Sequence, residues 1–352
     1  MLEFLAEYGL FLAKVITILA ALLVAIASIL SGSQKSREFR QGDIKTRHLN
    51  KDLEHMKDQI ELIVLSDEER KQLQKSKKKK AKELHKINKK NAKHPETKKA
   101  DPKIYVLDFN GDKEGSEVEI LRREVTALLQ VANSGDEVVV RVESPGGMVH
   151  TYGLAAAQLE RIKAAGFKLT ICVDKVAASG GYLMACIADE LLAAPFAIVG
   201  SIGVLVEITN FNKLLKKNSI DVEVLTAGEY KHTISMLGEI TPEARKKTLE
   251  ELATVHEMFK TFVLKYRPQL DIEKIATGEY WHGTKAIELA MVDKIITSDE
   301  YLCARCNQDV QVFEITFKQK ETLGDRLGLS ISTAIDRVSS SLLKKMRKPL
   351  HQ

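Results

Sequence analysis

Cysteine is scarce: four occur in 352 residues. Cys172 and Cys186 lie in apolar runs, the usual setting of core thiols. Cys303 and Cys306 form a lone C-x-x-C, which suits a disulfide, two incidental thiols or half of a zinc site. The other half is missing, so no metal and no cofactor is assigned. Between residues 35 and 100 glycine falls to Gly42 alone and aromatics to Phe39 alone. This stretch is rich in lysine, including Lys77 to Lys80 and Lys89-Lys90, and it supplies most of the net charge of +5. A basic run without interleaved aromatics or a recognisable module argues against a nucleic-acid partner. It leaves attraction to anionic lipid, or a solvated tether. Lys and Arg are also missing from the first seven residues, which contain Glu3 and Glu7. Cleaved signal peptides start basic. The apolar run 8–30, broken only by Lys14, is therefore expected to be an uncleaved membrane anchor, with Ala25-Ile26-Ala27 the mark of the rival, cleaved form.

Histidine is missing between Ser179 and Lys231, and what stands there is of another kind. Val176-Ala177-Ala178-Ser179-Gly180-Gly181-Tyr182 sets a serine among small residues where a strand-like run, 169–173, gives way to a helix-like one. A serine at a helix N-terminus has N–H groups and a dipole that favour developing negative charge. Upstream, Glu143-Ser144-Pro145-Gly146-Gly147 follows the apolar strand 138–142. Its paired glycines let backbone N–H groups approach a substrate closely, as an oxyanion hole requires. Downstream, Lys231 follows an expected strand at 221–226 and is a candidate base. A lysine accepts a proton at neutral pH only if its charged form is destabilised by about 4 kcal/mol, which burial among apolar groups achieves. Glu229 would oppose this if it shared a face with Lys231. The rivals for a base are His150, His232, His256 and His282, with His232, next to Lys231, the strongest of them.

In this order and spacing the residues resemble the Ser/Lys peptidases of the signal-peptide-peptidase A family. The similarity runs from residues 7–14 through Asp174-Lys175-Val176-Ala177-Ala178-Ser179-Gly180-Gly181 to Ala276-Thr277-Gly278-Glu279. It implies Ser179 as nucleophile, Lys231 as general base, Ser201 as the group that hydrogen-bonds that lysine, and Gly146 and Gly147 at the oxyanion hole. The implied activity is a serine endopeptidase for extended hydrophobic peptides, such as signal-peptide remnants or membrane-released fragments. The implied fold is α/β, of the ClpP/crotonase-like repeated β-β-α kind, and residues 280–295 resemble the closing segment of such folds. A single catalytic unit implies a homo-oligomeric ring with sites shared between subunits. The resemblance also implies a single-pass protein of the bacterial inner membrane with a periplasmic catalytic domain. Lys35, Arg37, Arg40, Lys45 and Arg47, just after the anchor, point the other way by the positive-inside rule. A crotonase-like acyl-CoA enzyme and a membrane-tethered peptide-binding scaffold are the alternatives. No residue specifies CoA, and the intact motifs argue against a scaffold.

The expected organisation is an anchor at 1–32, a basic helical or disordered linker at 33–101, the peptidase domain at 102–300, and a C-terminal strand and amphipathic tail at 301–352. Leu49, Leu53, Met56, Ile60 and Ile63 recur at helical spacing within the linker. In the domain, strands at 103–109, 137–142, 169–173 and 221–226 alternate with helices at 117–131 and 151–164, a pattern for a mostly parallel sheet. Thr241 and Pro242 open a helix to about Tyr266 with Leu249, Leu252, Val255, Phe259 and Phe262 as its apolar side. The uncharged run 191–206 is expected to be buried strands and a substrate-lining loop.

Overall fold

A computed structural model describes residues 7–19, 42–91, 101–228, 230–231, 233–308 and 310–319. The chain divides into two compact units, one of residues 1–43 and 317–352, the other of residues 44–316. In the first, residues 7–19 form helix α1, exposed along its whole length. The expected anchor is thus described only as far as residue 19. Its remainder lies outside the described residues, as does the amphipathic tail beyond Gln319. Among the described residues no helix is long and apolar enough to cross a membrane.

The larger unit is a mixed α/β structure. Strand β1 (Gly42–His48) leads into helices α2 (Leu49–Val64) and α3 (Asp67–Asn91). Then come β2 (Lys103–Asn110), α4 (Val118–Val131), β3 (Glu137–Glu143), α5 (Val149–Ala164), β4 (Lys168–Val173), β5 (Val176–Ala178), α6 (Gly180–Ala185), β6 (Glu190–Ala193) and β7 (Ile198–Gly200). The chain finishes with α7 (Asn212–Lys217), α8 (Pro242–Tyr266), α9 (Ile272–Ile275), β8 (Tyr280–His282), α10 (Gly283–Glu288), β9 (Lys294–Ile295), α11 (Ser298–Asn307) and β10 (Gln311–Gln319). The main sheet has the order β1-β10-β2-β3-β4-β6-β9, and every pairing from β10 to β9 is parallel. A smaller sheet, β5-β7-β8, stands beside it.

Parallel strands need both faces covered, which is why β3 reads Val-Val-Val instead of alternating with polar residues. One face sends Leu107, Phe109, Val138 and Val140 against Leu121, Val125 and Leu128 of α4 and the small side chains Ala155 and Ala156 of α5. The other sends Ile104, Val106, Val139 and Cys172 against Leu302 of α11 and Leu49 at the start of α2. Each such side chain, taken fully out of water, stabilises the fold by about 1.5–3 kcal/mol. Burial pushes the thiols of Cys172 and Cys186 up to about 12, the signature of inert core cysteines. Cys303 and Cys306, both on α11, are free thiols.

Two expectations need correction. Residues 221–226 form no strand; Val224 and Leu225 are exposed, and among the described residues no neighbouring backbone offers a ladder. Helix α8 is capped as expected, with Thr241 Oγ accepting the Ala244 N–H at 3.1 Å. It buries Thr248, Phe259 and Val263 and half-buries Leu252, Val255 and Phe262, while Leu249, expected on the same apolar side, faces solvent. The run 191–206 forms the buried strands β6 and β7 as expected; Phe196 between them is 84% exposed, and beyond Ile202 the chain turns outward with Leu205 and Val206 exposed.

The start of the sheet carries a buried charge. Glu137 accepts hydrogen bonds from Thr170 (2.5 Å), Tyr301 (2.6 Å) and Arg305 (2.7 Å), with Lys168 at 3.3 Å. Burial pushes its carboxyl up, but these donors and the lysine charge outweigh that and hold it below the usual glutamate range. A carboxyl depressed in the folded state contributes stability above its unfolded value, about 4.3, and that contribution fades as pH falls through the folded value. Glu137→Gln is expected to cost about 3 kcal/mol at pH 7, and less as the solution is acidified below pH ~4. Urea melts of both proteins from pH 7 downward check this; parallel curves would refute it.

Candidate active site

Strand β5 ends at Ala178 and α6 begins at Gly180, so the chain reverses through Ser179. It does so with φ 52° and ψ −119°, a conformation that L-residues rarely adopt. Such strain persists only where the surroundings over-determine it. Here they do. The Ser179 N–H donates to Gly200 O at 2.8 Å, and Ala178 N–H donates to Ser144 O at 3.0 Å. Ser144 N–H in turn donates to Val176 O at 2.8 Å, so the 144–147 loop is stitched to the strand that carries the serine. Ser179 is half-buried and its Oγ has no hydrogen bond within the protein among the described residues.

The glycines of the loop are demanded by this approach. Gly146 has φ +88°, and a Cβ there would lie 2.7 Å from Ser179 Cβ and 2.8 Å from Gly180 N. At Gly147 a Cβ would lie 2.2 Å from Lys113 O. The Gly146 N–H donates to Ser144 Oγ at 3.1 Å. Tyr152, fully buried, donates its hydroxyl to Asp112 O at 2.8 Å. Having spent its one hydrogen there, it must accept at 2.5 Å from Ser144 Oγ, which fixes Ser144 as donor to the tyrosine and acceptor from Gly146. The same ring fills the space beside Gly180, where a Cβ would meet Tyr152 Cγ at 2.4 Å. Sequence reasoning missed Tyr152. A lone tyrosine on a helix carries no signal of its own.

Ser201 follows Gly200 and has the same φ of 52°. Its N–H donates to Glu279 O at 2.6 Å, and Gly278 N–H donates to Ile202 O at 3.2 Å. The motif Ala276-Thr277-Gly278-Glu279 is therefore the brace of the turn that carries Ser201. His256, on α8, reaches the same turn with a ring nitrogen 3.2 Å from Ile202 O. Ser179, Gly146, Gly147 and Ser201 are thus joined through one backbone network. Lys231 is not part of it. It sits exposed in a turn whose N–H donates to Gly228 O at 3.2 Å, and no hydrogen bond among the described residues joins it to Ser179 or Ser201. Of the rival histidines, His150 is exposed on α5, His282 pairs with Phe196 O at 3.1 Å, and His232 lies outside the described residues.

Residues 3–159 match the model of the peptidase family S49 N-terminal region, and residues 161–312 match that of peptidase family S49. The chain belongs to peptidase family S49. A protein named Probable protease SohB from Haemophilus influenzae is 45% identical over 331 residues, covering 93% of this chain and 92% of its own. One of the same name from Buchnera aphidicola of Schlechtendalia chinensis is 44% identical over 309 residues, 86% of this chain and 100% of its own. Protease 4 of Haemophilus influenzae is 25% identical over 197 residues, 55% of this chain and 32% of its own. The chain is a peptidase similar to the SohB proteins. The S49 matches meet between Leu159 and Arg161, so the Gly146-Gly147 loop falls in the N-terminal region and Ser179, Ser201 and Lys231 in the second.

The sheet has another polar hollow on the face opposite α4 and α5, with a volume of about 260 Å³. Among its lining residues Arg141 pairs with Asp108 and with Glu314, Lys175 pairs with Glu143, and Asp174 accepts a hydrogen bond from Ser298 Oγ.

Proposed function

We propose that this S49 peptidase is a serine endopeptidase of ClpP/crotonase-like fold that uses Ser179 and Lys231. The observation that supports it most is the strained turn at Ser179, held by Gly200 and backed by Gly146. In this mechanism the Lys231 amine takes the Ser179 proton as Oγ attacks a peptide carbonyl. The lysine then returns the proton to the leaving amine, and water releases the acyl group from Ser179. Backbone N–H groups beside Gly146 and Gly147 hold the oxyanion, and Ser201 orients the amine.

Lys231 is exposed in the single chain, so a base role calls for a partner surface over it. The segment that carries Lys231 also exposes Leu205, Ile220, Leu225, Tyr230 and Leu237. A ring of identical chains would cover these residues, desolvate Lys231 and present it to the serine of a neighbour. Extended hydrophobic peptides, such as signal-peptide remnants, are the substrates in this proposal. Residues 8–30 are its single-pass anchor in the bacterial inner membrane, with the catalytic domain on the periplasmic side.

The deciding experiment labels the purified chain with a serine-reactive fluorophosphonate and then mixes two inactive variants. Labelling should vanish in Ser179→Ala. Mixing Ser179→Ala with Lys231→Ala should restore part of the turnover. Full turnover by Lys231→Ala alone would remove the lysine from the mechanism, and labelling unaffected by Ser179→Ala would remove the serine.

A further inference from the structure

Helix α2 is amphipathic, and among the described residues only the first turns of its apolar stripe pack on the core. Leu49, Leu53, Met56, Ile60, Ile63 and Val64 fall within one narrow arc of the helix. Leu49 packs on the core beside Leu302, and Leu53 is half-buried. Beyond them the stripe runs on uncovered: Ile60 is 64% exposed, Ile63 82% and Val64 75%. No residue of α2 is fully buried.

Helix α3 follows after a two-residue turn. Ser66 and Glu69 close its first turn reciprocally, and Asp67 pairs with Arg70 at 3.2 Å. Its acidic residues are therefore spent at the N-terminus. From Lys71 to Asn91 the helix has ten lysines and one carboxylate, Glu83. Lys71, Lys75, Lys78, Lys79 and Lys82 are spaced three and four apart, so they line one face, and all five are exposed. The same spacing continues through Lys86, Lys89 and Lys90. Like charges at this spacing repel, so the face lowers its energy when an anionic surface neutralises it.

We infer that α2 and α3 dock on an anionic lipid surface, the apolar stripe of α2 entering the headgroup–acyl boundary and the lysine face of α3 lying against the phosphates. The two features select this occupant together. A nucleic acid would neutralise the lysines and leave Ile60, Ile63 and Val64 in water. A second copy would cover the stripe but bring another ten lysines to it. An anionic bilayer has both an apolar layer and surface charge, and the stripe and the lysine face are only a few residues apart along the chain. This docking is independent of the peptidase chemistry and of residues 8–30.

The test uses the full chain carrying Ile63→Trp, with the parent, whose sole tryptophan is Trp281, as the reference. Vesicles of phosphatidylglycerol or of phosphatidylcholine, each with brominated acyl chains, quench a tryptophan only where it enters the lipid. The added tryptophan should be quenched by the anionic vesicles and recover in high salt. Its half-point should shift on the order of a hundredfold when Lys71, Lys75 and Lys78 are all changed to Gln. The probe reports this helix alone, so contact made by any other part of the chain does not register. Quenching that is equal in both lipids, or absent from the anionic one, overturns the inference. So does a shift in its emission on adding duplex DNA without lipid. Circular dichroism matching the parent establishes that the variants are folded.

Discussion

Ser179→Gly is expected to abolish peptide hydrolysis and, at the same time, to make the protein more stable. Removing the nucleophile of a serine peptidase lowers kcat by about a million-fold, to the level set by the remaining site. The backbone effect runs the other way. At φ 52° and ψ −119° a side chain is strained, and glycine is not. Ser179→Ala keeps the strain and loses the same hydroxyl. The glycine variant should therefore be more stable than the alanine variant by about 1–2 kcal/mol, with both equally inactive. Urea unfolding of the two, beside turnover of a hydrophobic peptide, reads both quantities. Residual turnover within tenfold of wild type in either variant would exclude Ser179 as the nucleophile. An alanine variant as stable as the glycine one would show that the turn stores no strain.

The second large effect is at Gly146. Gly146→Ala places a methyl 2.7 Å from both Ala178 O and Ser179 Cβ, and 2.8 Å from Gly180 N, at a φ of +88°. Two of these three atoms are backbone, so relief must move the turn or the loop. Either displaces the serine from the donors beside it. Losing oxyanion donors costs about 10²–10³ in kcat, and misplacing the nucleophile adds to it. A decrease of at least about a thousandfold is expected, with substrate affinity little changed. Gly166→Ala is the control. It has nearly the same backbone, φ +84°, but nothing within 4 Å of the added methyl. It should lose about 1 kcal/mol of stability and keep full turnover. If Gly146→Ala behaved like Gly166→Ala, the close approach of the loop to Ser179 would have no part in catalysis.

The main sheet was legible because its strands are buried on both faces. Val138 to Val142, Leu169 to Val173 and Ile104 to Phe109 are near-continuous apolar runs bounded by polar turns, and all three became strands. The segment 221–226 alternates Val222, Val224 and Thr226 with Asp221, Glu223 and Leu225 in the same manner, yet it stays irregular. A strand needs a neighbour's backbone, and the pattern does not say whether one exists. The close approach of the 144–147 loop was legible because paired glycines after a strand permit one, and a Cβ at Gly146 or Gly147 would indeed meet Ser179 or Lys113. The supports behind them were not. Tyr152, Ser144 and His256 act through contacts with residues 112, 146 and 202, and no spacing along the chain announces such contacts.

The position of β10 has a consequence for synthesis. β2 is flanked on one side by β3, made soon after it, and on the other by β10, whose Gln311 pairs with Lys103. About two hundred residues separate the two strands in order of translation. At ribosomal speeds of 5–20 residues per second, one edge of β2 stays bare for roughly 10 to 40 seconds after it is made. Ile104, Val106 and Val139 wait as long for Val312, which joins them in one core cluster. Residues 144–201 thus emerge before the core is closed. A messenger truncated ahead of residue 311 would release chains with an unpaired apolar strand, ready to add to one another.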